Sequence, residues 1–199
     1  HPLWLEASML GDLKLMMYLS VQTNPLMQDT EGNTAIHHIA RLGYLHLLDF
    51  LISLRLNLNA TNKSQQTPLF LAARHGKVSM LNALLARGAS VGVADRNVLQ
   101  TAIVHGQSCV LESLFNHSSY EELLRMNGGI VALFQMAIDA RQLCVLQVLI
   151  EHYPEVLYVK EKPLLHYAVE KRYADGVQLL VKSGADVEQV NAQNQTAYQ

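Results

Sequence analysis

Apolar positions along the chain recur in register with a series of turn residues. Counting from each turn, apolar side chains fall four, five, eight and nine positions further on, a spacing that lines one face of a helix. After Gly43 the set is Leu47, Leu48, Leu51 and Ile52, and after Gly76 it is Met80, Leu81, Leu84 and Leu85. The same offsets give Val110, Leu111, Leu114 and Phe115 after Gly106, then Val145, Leu146, Leu149 and Ile150 after Arg141. After Arg172, Val177, Leu180 and Val181 fit and Gly176 is the weak member; after Gly11, Leu15, Met16 and Leu19 fit and Ser20 does not. Each stripe follows a shorter helical signal. Thr34-Ala35-Ile36-His37 with Ile39-Ala40 is answered 33 residues later by Thr67-Pro68-Leu69-Phe70 with Ala72-Ala73. Thr34 and Thr67 sit where a helix N-cap belongs, and Pro68 occupies the first helical position, where a missing N–H costs nothing. Gly43 and Gly76 supply left-handed turns at the helix ends.

The pattern predicts an all-α solenoid of about six helix-turn-helix units, spanning 1–28, 29–61, 62–94, 95–127, 128–158 and 159–190, with 191–199 opening a seventh. Such units cannot bury their apolar faces alone and must stack, so stability comes from neighbour interfaces. All 199 residues are read as one domain.

Thr67-Pro68-Leu69, Ala72-Ala73, Gly76, and Leu84-Leu85 with Gly88-Ala89-Ser90-Val91 resemble the ankyrin repeat. So do Leu165-His166-Tyr167-Ala168 with Ser183-Gly184-Ala185-Asp186-Val187, and Asp29…Gly32-Asn33-Thr34 with His37. The resemblance covers essentially the whole chain. It implies a hairpin finger and two antiparallel helices per unit, with partner proteins bound on the concave side. It also implies that His37 and His166 fasten the hairpin turns, and that finger tips and first-helix ends read the partner. Here those positions are Thr30, Glu31 and Asn33, then Lys63, Ser64 and Gln66, then Arg96 and Asn97. The helix ends contribute Arg41 and Leu42, Arg74 and His75, Val104 and His105, Asp139 and Ala140, Glu170 and Lys171. Early units read as basic and later ones as mixed to acidic, so a partner with an acidic patch against units two to four is the sharper expectation. A solvated face without consequence is the plainer one. Leu58-Asn59-Ala60, with Leu51 eight residues before Asn59, resembles the ankyrin motif modified by an asparaginyl hydroxylase, which makes Asn59 a candidate for modification.

Departures from the family pattern cluster in the middle. The finger between Asp95 and Val98 is about three residues short, and Tyr120-Glu121-Glu122-Leu123-Leu124 adds a helical turn before Gly128-Gly129. Arg141 and Arg172 stand where glycine is expected, and Arg55 replaces a helix-ending glycine. Drift and a specialised surface both account for this.

Composition changes the picture only by exclusion. Half the chain is hydrophobic and the formal net charge is −2 with the signs interspersed; no basic stripe for nucleic acid is visible. No apolar run reaches the roughly 18 residues of a membrane span, and no signal-peptide pattern opens the chain. His1 and an end within a repeat read as a fragment of a longer protein. Cys109 and Cys144 occupy equivalent places in successive units, roughly 8–10 Å apart on stacked helices, beyond disulfide reach, and imply a reducing compartment. The nine histidines show no C-x-x-C or H-E-x-x-H spacing, so no metal is expected. There is no Lys-Ser or Lys-Thr after Gly128-Gly129 for a phosphate loop, no paired-carboxylate constellation, and no cofactor is implied. The expected function is a monomeric protein–protein interaction module, an adaptor, scaffold or regulator of the cytoplasm or nucleus, and not an enzyme. The alternative is the substrate-targeting segment of a larger enzyme, or of a secreted bacterial effector working in host cytosol.

Overall fold

Helices begin and end where the local chemistry places them. The structure, a computed structural model, describes residues 2–91, 98–117, 121, 124–125, 127–159, 163–190 and 195–197. They form two compact units, His1–Thr101 and Ala102–Gln199. In the first are α1 (Leu3–Leu10), α2 (Leu13–Ser20), α3 (Ala35–Leu42), α4 (Leu48–Ser53), α5 (Pro68–Arg74) and α6 (Val78–Ala86). The chain passes to the second within α7 (Val98–Val104), followed by α8 (Ser108–Phe115), α9 (Ile130–Asp139), α10 (Leu143–His152), α11 (Leu164–Glu170) and α12 (Ala174–Lys182). Every regular element among the described residues is helical.

In the first unit α1 packs on both α2 and α3, α3 on α5, and α5 on α6. In the second, α9 packs on α10 and α11, α10 on α8 and α12, and α11 on α12. First helices therefore stack on first helices and second on second, as a repeat array requires. The predicted stripes form the core. Leu47, Leu48, Leu51, Met80, Leu81 and Leu84 are buried in the first unit, and Val110, Leu111, Leu114, Val145, Leu146 and Leu149 in the second. Val181, predicted to join this set, stays 38% exposed. The weak member Gly176 has its own reason: a Cβ there would collide with the ring of Tyr173, which is buried against it. The second helix after Gly43 starts as a 3-10 turn, Leu45–Leu47, before becoming α4.

Thr67 Oγ1 accepts from Phe70 N–H at 3.2 Å, capping α5 with Pro68 in its first turn. The turn glycines Gly11, Gly43, Gly76 and Gly106 all take left-handed conformations. So do Arg55, Arg141 and Arg172, at φ 58°, 53° and 52°. The turn shape is thus the same with arginine as with glycine, at a cost of about 1 kcal/mol for each side chain carried in this region. Gln65, φ 58°, does likewise in the finger.

The extra turn expected at 120–124 is described only at Glu121 and Leu124, which are helical together with Arg125. The shortened finger with Arg96 and Asn97, and Asn191–Asn194 of the seventh unit, lie outside the described residues. An unpredicted 3-10 segment, Pro154–Tyr158, follows α10 and buries Val156 and Leu157.

Candidate partner-binding surface

Two fingers of the first unit are built from the same short-range bonds, 33 residues apart. Asp29 Oδ1 accepts the backbone N–H groups of Glu31 and Asn33 at 2.9 and 2.8 Å. Asn62 Oδ1 accepts those of Ser64 and Gln66 at 3.0 and 2.9 Å. A short polar side chain that bonds its own backbone in this way folds the loop without a strand partner. The fingers are then tied to each other. Asn62 Nδ2 donates to Asn33 Oδ1 at 2.8 Å, Lys63 N–H to Glu31 O at 2.9 Å, and Lys63 Nζ to Thr30 O at 2.9 Å.

His37 anchors this ladder to the helices. Thr34 N–H donates to its Nδ1 at 3.2 Å, and its Nε2 lies 3.1 Å from Gln66 O. These bonds need a neutral ring protonated at Nε2. Burial pushes the group down to about 4, against the opposing pull of the Gln66 carbonyl. His166 makes the equivalent bond to Gln195 O at 2.9 Å. Its Nδ1 is buried without a hydrogen-bond partner, because Pro163 stands three residues earlier and has no N–H to offer.

Beside the ladder lies a cleft of about 230 Å³ between the ends of α3 and α5, lined by Arg41, Arg74, His75, Glu31, Leu71 and the floor histidines His37 and His38 among others. Arg41, Arg74, His75 and Glu31 are exposed at its rim. His38 is buried, with Nε2 3.2 Å from Asp29 Oδ2 but off the line of a hydrogen bond. Burial holds His38 below the usual histidine range although Asp29 pulls the other way. Burial would raise Asp29, but the bonds from Asn33 and Glu31 and the nearby His38 hold it below the usual carboxylate range. His38 escaped the sequence reading, although the position 33 residues on is Leu71, an apolar buried site.

The structure distributes the expected contact residues unevenly. Glu31, Asn33, Gln66, Arg41, Arg74 and His75 come together around the cleft. Asn33 is buried and fully engaged, donating also to Glu31 Oε2 at 3.2 Å. Thr30, Lys63 and Ser64 are exposed at the finger tips. Leu42 lines a separate hollow of about 350 Å³ with Gly43, Lys77 and Met80. Asn59 is half-buried, and its Oδ1 accepts Ser90 N–H at 2.9 Å. Asn62-Lys63-Ser64 has the spacing of a glycosylation acceptor, but the Asn62 side chain is buried in the ladder and closed to sugar.

In the second unit His105 and Glu170 are exposed. Asp139, expected as a partner-reading helix end, is engaged within the protein. Tyr167 Oη–H donates to its oxygens at 2.8 and 3.0 Å, and Lys171 Nζ lies 3.1 Å away. Burial and then the bond to Asp139 raise Tyr167, while the bonds to Asp139 and Tyr167 raise Lys171. Cys109 and Cys144 are exposed and free. Among the described residues no cluster of three or more His, Cys, Asp or Glu could hold a metal, and no helix is long and apolar enough to cross a membrane.

A family model of three ankyrin repeats matches residues 4–95, and a single ankyrin repeat matches 162–194. The chain belongs to the ankyrin-repeat family. This ankyrin chain is 29% identical over 193 residues to the nuclear factor NF-kappa-B p105 subunit of Gallus gallus, covering 89% of this chain and 19% of the relative. It is 30% identical over 107 residues to the E3 ubiquitin-protein ligase XB3 of Oryza sativa subsp. japonica, covering 52% of this chain and 22% of the relative. It therefore spans under a quarter of the length of these curated relatives. Among solved structures, the human ASB11 ankyrin repeat domain matches 99% of this chain and 90% of its own at TM-score 0.72 and 21% identity. The ankyrin repeat domain of Bcl-3 matches 98% and 91% at TM-score 0.62 and 21% identity. Ankyrin repeats are a protein–protein interaction module, with sites grafted on a shared scaffold.

Proposed function

We propose that this ankyrin array holds a partner protein through the finger tips and first-helix ends, with the cleft between α3 and α5 as the principal contact in the first unit. The observation that carries the reading is the pair Arg41 and Arg74 at the rim of that cleft. Both are exposed, one on each of two consecutive first helices, above a floor whose histidines burial keeps neutral. A partner presenting an acidic patch fits this rim, with Glu31 on the finger side setting its register. The protein acts as a monomeric adaptor or regulator, without catalysis, cofactor or nucleic acid, in the cytoplasm or nucleus. The NF-kappa-B relative, whose name is that of a nuclear factor, supports that placing.

Charge reversal at both sites, Arg41→Glu with Arg74→Glu, is expected to weaken partner binding about tenfold or more. Pull-down from lysate with wild type and the folded variant in parallel reads this. A partner held equally by both removes the acidic-patch reading. A second reading has the array as the partner-binding segment of a larger enzyme, favoured by the likeness to a ubiquitin ligase of which it spans 22%. Asn59 is proposed as a hydroxylation site; its bond to Ser90 N–H fixes the Oδ1 end of the amide.

A further inference from the structure

We infer that Arg141 and Arg172 form a second contact for the partner, taking a short acidic segment on the first-helix ends of the second unit. The inference deepens the acidic-partner reading above and rests on it for the class of ligand.

The first observation is backbone strain. Four turn positions of the array are glycines with φ between 66° and 84°, where glycine is at ease. The next two hold arginine at φ 53° and 52°. The turn is unchanged in hand, so glycine would serve the fold at least as well. Strained side chains of this kind concentrate where they have work to do. The exposed side chain of Arg172 has no packing to offset the strain, whereas Arg141 recovers part of it against Tyr173 and Lys171 O.

The second observation is where the charges point. Arg141 does not hang free: its guanidinium carbon lies 6.0 Å from the centre of the Tyr173 ring, and Nη2 is 3.4 Å from Lys171 O. It is thereby laid along the backbone of residues 171–173, beside Arg172. The two arginines come from successive units, and the Arg141 guanidinium lies over the turn that carries Arg172.

The third observation concerns competing acids. Asp139, nearest in the sequence to Arg141, is engaged by Tyr167 and Lys171. Arg172 is exposed; its backbone N–H bonds Val169 O at 2.9 Å, while its side chain makes no hydrogen bond or ion pair among the described residues. Glu170, at the end of α11, and Asp175, in the first turn of α12, are also exposed. Together they limit the positive field, so the ridge suits one or two carboxylates presented to two guanidinium forks rather than a polyanionic tract. Guanidinium is the group matched to carboxylate in a bidentate fashion.

Glycine substitution separates binding from folding. In Arg141→Gly/Arg172→Gly the turn strain is relieved, so Tm is expected to stay level or rise. Affinity for a blocked octapeptide with two adjacent glutamates should fall about fivefold or more at low salt, as expected for two exposed charge contacts. The peptide with glutamines in their place serves as the reference. The titration is followed by NMR on the backbone amides of Lys171 and Tyr173 and, in wild type, on the arginine Nε–H groups. Arg55→Gly, which relieves the same strain elsewhere, should leave the peptide affinity unchanged.

Equal affinity in the double-glycine variant overturns the inference, as does a lowered Tm, which would make the arginines structural. Wild type that ignores the glutamate peptide, or prefers a heparin fragment, overturns the ligand class. In the lysate pull-down, a partner lost with Arg41→Glu/Arg74→Glu but kept by the double-glycine variant removes this contact and leaves the principal one standing. Loss in both supports the two contacts acting together.

Discussion

Leu81→Ala is expected to destabilise the chain by about 2–5 kcal/mol, the range for emptying a leucine site in a packed core. Leu81 is fully buried on α6, in the stripe with Met80 and Leu84, which are buried too. Its backbone N–H bonds Lys77 O at 2.8 Å in the first turn of the helix. The backbone position is therefore fixed, and the site cannot close by letting the helix slide. In a stack each unit is stabilised through its neighbours, so the cavity weakens the packing of α6 on α5 and on the 3-10 turn before α4. Urea unfolding reads the loss, and a cost below about 1 kcal/mol would mean that the stripe is not packed as described. Leu114→Ala, fully buried on α8, carries the same expectation in the second unit. Val21→Ala is the contrasting control, since Val21 is 89% exposed and its loss should stay within about 0.5 kcal/mol.

Acidification is the second large effect. His37 titrates at about 4 in the folded chain against 6.5 for an unperturbed histidine. The unfolded state therefore binds the proton first as pH falls. Stability contributed by the neutral ring is complete above about pH 6.5 and is lost as pH drops toward 4. At about 1.4 kcal/mol per pKa step, this one group accounts for up to roughly 3 kcal/mol. His38, also held below its usual range by burial, adds in the same direction. Burial of the ring is the main cause; in addition, Nδ1 accepts from Thr34 N–H and cannot do so once protonated. Thermal melts from pH 7 to pH 4 should show Tm falling for wild type. The slope should be shallower for His37→Gln, which is less stable at neutral pH but has no proton to take up. Equal slopes in both proteins would place the acid sensitivity elsewhere.

How much was legible beforehand depends on the range of the interaction involved. The N-cap at Thr67, the glycine turns and the buried stripes follow from spacings of three, four and thirty-three residues, which the chain displays directly. The anchoring role of His37 and His166 was legible only through family resemblance. The difference between them, an orphaned Nδ1 in His166, follows from Pro163 and could have been read from that residue. The arginines at 55, 141 and 172 are visible in the sequence as departures from glycine, but only the fold decides that the turn keeps its hand.

The contact surface was less legible. Spacing placed Asp139 and Lys171 as separate surface charges, yet the stack of α9 on α11 brings them to 3.1 Å with Tyr167 between their partners. The mixed-to-acidic look of the later units is thereby altered, because Asp139 is engaged within the protein. Gly176 interrupts the apolar stripe in the sequence, and only the fold supplies the reason, the Tyr173 ring packed against it.

By itself, then, the sequence determined the repeat, its helices, their caps and the faces they bury, since all of these rest on periodicity and on bonds within one turn of chain. Only the tertiary structure decided which polar groups are available to a partner. The Asn33–Asn62 bond, the closeness of His38 to Asp29 and the engagement of Asp139 depend on side-chain geometry within and between units. Those between units join residues about thirty apart, where a shift of a single ångström in the stacking makes or breaks the bond.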